Sequence, residues 1–257
     1  MSAPRPRSSV ALVLLLVAAA GCARALPPPR TAVSGDARRA LDLMTARWRE
    51  FTDLRTLADI TVQKGGERHR LAGVLLARGP TSLRFEALSP FGQPLLIATI
   101  ADGRLTAYHP AVNEATVGPA NADTAASLLG LPLEPQDLVA VLGGRAAPPA
   151  DVRRAELLPA DEHGPSLEVI GGDHRQRVWM DMTTGVVRRL EITGGRVEAR
   201  VDFVRAADST VQGFDFTTSP AYVSGAVRYQ RPEFGVGIEP ERFTLTLPPN
   251  AKVEPLK

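Results

Sequence analysis

The first regular pattern along the chain is a helical one, between Asp36 and Phe51. Apolar residues recur there at spacings of four, three, four and three, at Ala37, Leu41, Met44, Trp48 and Phe51. This spacing places them on one face of an α-helix, with arginines and acidic residues on the opposite face. The sequence therefore predicts an N-terminal amphipathic helix whose apolar stripe packs on a sheet.

After this helix the pattern changes to an alternation of apolar and polar residues, which is typical of strands with one buried face. The apolar positions are Ile60/Val62, Leu83/Phe85/Ala87, Val197/Ala199/Val201/Phe203 and Phe243/Leu245/Leu247. Val178–Ile192 is predicted to form a hairpin that turns at Thr183–Gly185. Strands linked mainly by hairpins favour an antiparallel meander, and we expect one mainly β domain over residues 36–257, either one large curved sheet or an open, incomplete β-barrel.

Two short helical segments interrupt the strands, at Ala122–Leu129 and Pro135–Leu142. Each has one apolar side, and Gly143 and Gly144 supply a stop signal after the second segment. Short helices inserted into a curved sheet must bury their apolar sides against it. We therefore expect them to form a lid over the concave face.

Leu71–Ala77 and Leu95–Ile100 differ from the other strand segments because they are apolar on both faces. In an antiparallel sheet this pattern means cover on both sides, or one face that lines an apolar cavity. A cavity beneath the two helices is a plausible site for an acyl chain. A plain packed core explains the same pattern, and both interpretations stay open at this point.

The N-terminus carries the pattern of an export signal. Arg5 and Arg7 precede an apolar run over residues 10–20, about half the length that crosses a bilayer. Small residues then lead to Cys22, the only cysteine of the chain, where a bacterial lipoprotein would be cleaved and acylated. We expect a signal peptide over 1–21, a lipidated Cys22 with a proline-rich tether over 22–35, and no cofactor besides the covalent diacylglycerol and acyl groups. The alternative is an ordinary signal peptide with an incidental cysteine.

Removal of this signal changes the charge balance. The 30 basic residues become 28 when Arg5 and Arg7 leave, against 28 acidic residues that all lie after the signal. A nearly neutral mature chain gives no support for a nucleic-acid partner. Ala23 stands where an aspartate commonly retains lipoproteins at the inner membrane of enteric bacteria, so we expect the periplasmic face of the outer membrane.

A search for catalytic or metal-binding patterns is negative. The four histidines, His69, His109, His163 and His174, show no i, i+4 pairing, and no HExxH, GxSxG, P-loop or GxGxxG motif occurs. Asp161–His163 lies in a turn bounded by proline and glycine, where solvated side chains are the ordinary case. We expect a protein that is not an enzyme, with a hydrolase as a remote alternative.

The turn LSPFGQPL, between two predicted strands, places a large apolar ring between Pro90 and Gly92. Proline and glycine are turn residues, and turns lie on the surface. Phe91 would therefore either meet a lipid surface or fold back onto the sheet.

Several segments resemble, in order, the LolA/LolB lipoprotein-localisation superfamily, and its LolB-like outer-membrane lipoproteins more closely. After the N-terminal helix they are the first strand Leu54–Val62, the strand and turn Leu83–Gly92, the hairpin at Ala101–Arg104, the lid Leu128–Gly144 and the closing strand Phe243–Ala251. The resemblance implies an open antiparallel barrel with a helical lid over an apolar cavity. It also implies that cargo acyl chains pass from a periplasmic LolA-like carrier to the outer membrane.

By this resemblance, the turn Pro90, Phe91, Gly92 matches the family's membrane-inserting turn, with phenylalanine in place of leucine. The apolar faces of the strands supply candidate residues for the acyl cavity, which are Leu83, Phe85, Ile97, Met180, Leu190 and Phe203. We expect a monomer that acts by non-covalent exchange. The alternative is an outer-membrane lipoprotein of the same fold that binds lipid or supports an envelope assembly without transferring lipoproteins.

Overall fold

The structure is a computed structural model, and it describes residues 29–172, 174–194, 198–219 and 222–256. The predicted signal peptide and the predicted lipidation site at Cys22 lie outside these residues.

Helix α1 spans Gly35–Arg49. Ser34 caps it, because its side chain accepts a hydrogen bond from the backbone N–H of Ala37. The buried positions of α1 are on the apolar face that the sequence predicts, and they are Ala37, Ala40, Leu41 and Met44. The predicted amphipathic helix is therefore confirmed, with its end two residues before Phe51.

Fourteen strands form one sheet among the described residues. The strands are β1 Asp53–Lys64, β2 Glu67–Arg78, β3 Ser82–Leu88, β4 Pro94–Ala101, β5 Arg104–His109, β6 Glu114–Pro119, β7 Arg154–Asp161, β8 Gly164–Ile170, β9 Arg175–Met180, β10 Val187–Thr193, β11 Glu198–Arg205, β12 Val211–Ser219, β13 Val223–Phe234 and β14 Lys252–Pro255. The predicted hairpin around Thr183–Gly185 is confirmed as the β9–β10 pair.

The order of strands across the sheet is β14-β6-β5-β4-β3-β2-β1-β13-β12-β11-β10-β9-β8-β7. Neighbours pair antiparallel except β14, which lies parallel to β6. Strands β1–β6 form one meander and β7–β13 a second, and the pairing of β1 with β13 joins the two. The outermost strands, β14 and β7, do not pair with each other, so the sheet stays open, as predicted.

This order fixes the path of the helical connection. Strand β6 lies near one edge of the sheet and β7 forms the opposite edge, so the chain between them must cross the whole sheet. It does so through α2 (Ala122–Leu129) and α3 (Pro135–Leu142), whose bounds match the predicted ones. Helix α3 packs on β2 and β3, and α2 packs on β5. The predicted lid is confirmed.

Helix α1 covers a different part of the sheet. It packs on β7 and β8, and its residues Leu41 and Met44 belong to the buried cluster that continues into β8–β11. One half of the sheet is thus covered by the fifteen residues of α1, and the other by two helices of eight residues each.

The predicted closing strand Phe243–Ala251 is wrong. Residues Pro240–Phe243 form a 3₁₀ turn, and the chain from Thr244 to Ala251 joins no strand ladder. The alternation is real in another sense, because Phe243 is buried and Leu245 and Leu247 are half-buried while the threonines between them are exposed. The 3₁₀ turn packs on β3 and β4, where Arg84 donates a hydrogen bond to the carbonyl of Arg242. An alternating pattern shows that an extended chain packs on one side. It does not show that the chain pairs with a strand, because pairing also needs a neighbouring strand whose edge is free.

The close approach of β12 to β13 supplies a test of the sheet's central pairing. Gly213 has φ +139°, and a Cβ atom there would lie 2.0 Å from the carbonyl oxygen of Val227. We expect Gly213→Ala to lower the melting temperature by several degrees, because the added methyl group must separate the two strands. Gly35→Ala is the control, since its Cβ atom would meet only the tip of Arg39. Equal melting temperatures of both variants would contradict this account of β12.

Candidate functional site

A cavity of about 450 Å³ lies between the sheet and the α2–α3 lid. Its walls come from β1–β4, from β12 and β13, and from the lid itself. The lining is almost wholly apolar and includes Ile60, Leu71, Leu75, Phe214, Phe216 and Val227. The apolar faces of β2 and β4 therefore border a hollow space, and a plain packed core does not describe this half of the molecule.

The cavity reaches one particular end of the sheet. Lys64 is the last residue of β1, Thr218 and Val223 form the last pair of β12 and β13, and all three belong to the lining. Lys64 is the one charged side chain among the described lining residues. A guest in this cavity would thus meet hydrocarbon along its length and a cationic group at the end of β1.

Strand register decides where the predicted wall residues lie. Leu83 and Phe85 line the cavity, because the concave face of β3 carries Leu83, Phe85 and Ala87. Ile97 does not line it, since Ile97 pairs with Glu86 on the opposite face, while Leu96 pairs with Ala87 and takes the place in the wall. Ile97 is thus one residue away from the wall position, and a shift of one residue exchanges the two faces of a strand.

Met180, Leu190 and Phe203 also lie outside the cavity wall. Met180 and Leu190 are 2% and 1% exposed, in the same buried cluster as Met44 of α1. Phe203 packs at the edge of that cluster, with the guanidinium of Arg205 5.4 Å from its ring centroid. All three side chains lie in or against the packed core and are absent from the cavity lining, although Phe203 pairs with Phe214 of the wall.

Several wall residues belong to strands that the sequence patterns above do not single out. The main ones are Phe214 and Phe216 on β12, with Val223 and Val227 on β13. Phe214 and Phe216 alternate with Asp215, which is a detectable strand signal. Their position opposite the lid, however, depends on the pairing of β13 with β1, for which no local pattern exists.

The turn that carries Phe91 is held by Ser89. The side-chain oxygen of Ser89 accepts hydrogen bonds from the backbone N–H groups of Phe91 and Gln93, at 3.3 and 3.1 Å. Gly92, at φ +77°, donates its N–H to the carbonyl of Ser89. The ring of Phe91 takes no part in this arrangement and is 90% exposed, so it does not fold back onto the sheet.

Two contacts attach α3 to strands of the second meander, β7–β13. The buried Asp137, in the first turn of α3, accepts a hydrogen bond of 3.0 Å from the side-chain amide of Gln176 on β9, and Nε2 of His174 lies 3.7 Å away. At the other end, the hydroxyl of Tyr229 on β13 donates to the carbonyl of Leu142 at 2.8 Å. Burial raises the pKa of Asp137 to about 7 and also raises the pKa of Tyr229. The lid is thereby fixed at both ends of α3.

The acidic turn Asp161–His163 is accounted for by structural contacts. Both carboxylate oxygens of Asp161 accept from the indole N–H of Trp179, and Arg177 forms an ion pair with the same side chain. The hydrogen bond from Trp179 is the largest cause that lowers the pKa of Asp161. Across the described ranges, no group of three or more histidine, cysteine, aspartate or glutamate side chains could hold a metal ion.

Comparison with known proteins identifies the fold. No protein-family model matches the chain, and no curated protein matches its sequence. A domain described as an outer membrane lipoprotein-sorting protein domain, from Vibrio parahaemolyticus, matches with a TM-score of 0.58 at 15% identity, over 80% of this chain and 95% of that one. A LolA superfamily protein from Nitrosomonas europaea matches with a TM-score of 0.56 at 12% identity, over 81% and 97%.

A DUF1329 family protein from Desulfovibrio piger also matches, with a TM-score of 0.56 at 14% identity, over 81% of this chain and 95% of that one. At these identities the likeness concerns the fold. The chain has a LolA-like fold, mainly β, with an open sheet and few helices. No described helix has both the length and the apolar character that spanning a bilayer requires.

Because the carboxyl group of Asp137 is buried, we expect the stability of the folded protein to depend on pH. Its pKa is about 7 in the folded chain and near the ordinary 3.8 in the unfolded one. The folded state is therefore most stable below pH 3.8. Its free energy of unfolding falls by a few kcal/mol as the pH rises from there through 7, at roughly 1.4 kcal/mol per pKa unit. We expect Asp137→Asn, which keeps an acceptor for Gln176, to raise the melting temperature at pH 8 and to leave it little changed at pH 4.

Asp123→Asn is the matched control, since Asp123 is an exposed acid in the first turn of the other lid helix. It should keep the pH dependence of the parent protein. Parallel melting curves of the Asp137→Asn variant and the parent across this pH range would show that Asp137 is not the responsible group.

Proposed function

We propose that this protein is an outer-membrane-anchored lipoprotein that binds acyl chains of other lipoproteins beneath the α2–α3 lid and helps insert them into the membrane. In this proposal it acts as a LolB-like receptor. The observation that carries the proposal is the apolar cavity of about 450 Å³, in a fold shared with a lipoprotein-sorting domain. The volume is within the ~300–1,000 Å³ of small-molecule sites. A methylene group is close in size to a water molecule, roughly 30 Å³, so the cavity has room for on the order of one acyl chain.

The proposed transfer needs no covalent step. A cargo acyl chain leaves a LolA-like periplasmic carrier for this cavity and then partitions into the bilayer, driven by differences in affinity. Acyl groups on Cys22 hold the receptor at the periplasmic face of the outer membrane, because several buried chains make a lasting anchor. The proline-rich tether over residues 22–35 joins this anchor to the domain, a monomer, to which it is hydrogen-bonded where the backbone N–H of Thr31 donates to the carbonyl of Arg153.

Phe91 has a role at the release step. A phenylalanine side chain gains only ~1.5–3 kcal/mol on burial, which is small beside an acyl anchor. It suffices to bias the orientation of a domain already tethered to the bilayer. The rigid turn around Ser89 presents the ring to the lipid without an ordering cost in the loop.

A cavity-filling substitution tests acyl binding. Ala126, on α2, lines the cavity, so Ala126→Trp should fill part of it and weaken binding of a fluorescent palmitoyl probe by tenfold or more. Ala160→Trp, at an exposed position of β7, is the control and should bind the probe as the parent does. A folded parent protein that binds no acyl probe would overturn the cavity's proposed role.

Substitution of Phe91 tests delivery. We expect Phe91→Glu to slow the transfer of a lipoprotein from a LolA-like carrier to vesicles, because a carboxylate resists burial in lipid. Binding of the palmitoyl probe should be unchanged. Phe91→Leu should retain transfer, and Leu57→Glu, at an exposed apolar site along β1, serves as the control. Transfer by Phe91→Glu at the parent rate would exclude the proposed release role.

A further inference from the structure

The antiparallel ladders place four neighbouring hairpin turns at one end of the sheet, which is also the end towards which β8 and β10 run. Strands β1, β3, β5 and β12 all run towards this end, and the turns that follow them lie side by side. Across the sheet their order is β5–β6, β3–β4, β1–β2 and β12–β13. With about 4.8 Å between strands, neighbouring turns are roughly 10 Å apart. We call this row of turns the mouth rim, because the cavity lining reaches it at Lys64, Thr218 and Val223.

The mouth rim carries the most exposed apolar side chains of the described residues. These are Phe91 at 90%, Tyr222 at 81% and Val112 at 63%, each in a different turn of the rim. Leu95 follows the Phe91 turn and is half exposed. Water is an unfavourable neighbour for large apolar groups, and their gathering at one end indicates a surface that meets a partner.

The β1–β2 hairpin, which lies between the Phe91 and Tyr222 turns, is basic. Lys64, Arg68 and Arg70 are exposed there, and within the described part of the chain none of the three forms an ion pair. The one acid of this hairpin tip, Glu67, lies 3.5 Å from His69. Most other arginines of the sheet, in contrast, pair with carboxylates, as Arg84 does with Glu86 and Arg189 with Asp202.

We infer that the mouth rim docks on an anionic phospholipid surface, with Arg68 and Arg70 at the headgroups and Phe91, Tyr222 and Val112 in the interface. Charge complementarity selects this partner, because unpaired cations between apolar turns match phosphate groups above hydrocarbon. Aromatic side chains are favoured at the same depth. The inference extends the proposed function: docking by this rim would place the cavity opening against the bilayer, so an acyl chain need not cross water.

Vesicle binding of the mature chain from residue 22, with Cys22→Ser to omit the acyl anchor, tests the inference. We expect the chain to sediment with vesicles of phosphatidylcholine mixed with phosphatidylglycerol more strongly than with pure phosphatidylcholine, and less so at high salt. Arg68→Gln/Arg70→Gln should weaken binding to the anionic vesicles about 10- to 30-fold. The control pair, Arg49→Gln/Arg104→Gln, removes two exposed cations at the opposite end of the sheet and should bind as the parent does.

A second variant separates apolar contact from charge. Tyr222→Ser should weaken binding to both vesicle types by about tenfold, and Leu57→Ser should not. Equal binding of the parent to neutral and anionic vesicles, or an equal loss in both arginine pairs, would overturn the inference.

The palmitoyl probe keeps the two proposals distinct. A parent that docks on anionic vesicles and binds no probe contradicts the acyl cavity alone, and a parent that binds the probe without any preference for anionic vesicles contradicts the docking surface alone.

Discussion

The pairing of β1 with β13 is the constraint on which the rest of the structure depends. It joins residues that are far apart in the chain, from Leu54 with Phe234 to Gln63 with Ser224. With the first strand of one meander against the last strand of the other, β6 and β7 lie far apart across the sheet. The connection between them then has to cross the concave face, and its apolar helices α2 and α3 find their burial there. The lid is a consequence of strand order.

The concave face is covered unequally, by the long helix α1 over β7 and β8 and by the short lid helices over β2, β3 and β5. The long helix α1 buries Leu41 and Met44 among the side chains of its half. The lid helices are short, and Gly130 ends α2 in a left-handed conformation before the connecting segment. Contacts at Asp137 and Tyr229 fix α3 to β9 and β13, so the lid is held over the cavity by its ends. Because these two contacts hold α3 in place, the cavity beneath the lid stays open although no side chain fills it.

The strands that form the cavity wall also end in the exposed turns of the mouth rim. Ala87 and Leu96 line the cavity, and the chain between them carries Phe91. The binding space and the surface proposed to meet lipid are thus parts of the same hairpins. In the proposed cycle, cargo needs no separate channel between the two, and no energy source beyond the difference in affinity between carrier, cavity and bilayer.

The sequence by itself determined the features that depend on local periodicity. Spacings of three and four predicted α1, one-sided apolar segments predicted the bounds of α2 and α3, alternation identified Leu83 and Phe85 as one face, and the Pro-Phe-Gly pattern identified a surface turn. Only the tertiary structure decided which face of β4 is concave, so that Leu96 lines the wall and Ile97 does not. It also decided that the ring of Phe91 is exposed, that Met180 and Leu190 lie in the packed core and not in the wall, and that Phe243 packs outside the ladder. A period-two pattern separates the two faces of a strand but is the same for either register, and what covers each face depends on pairing between residues distant in the chain.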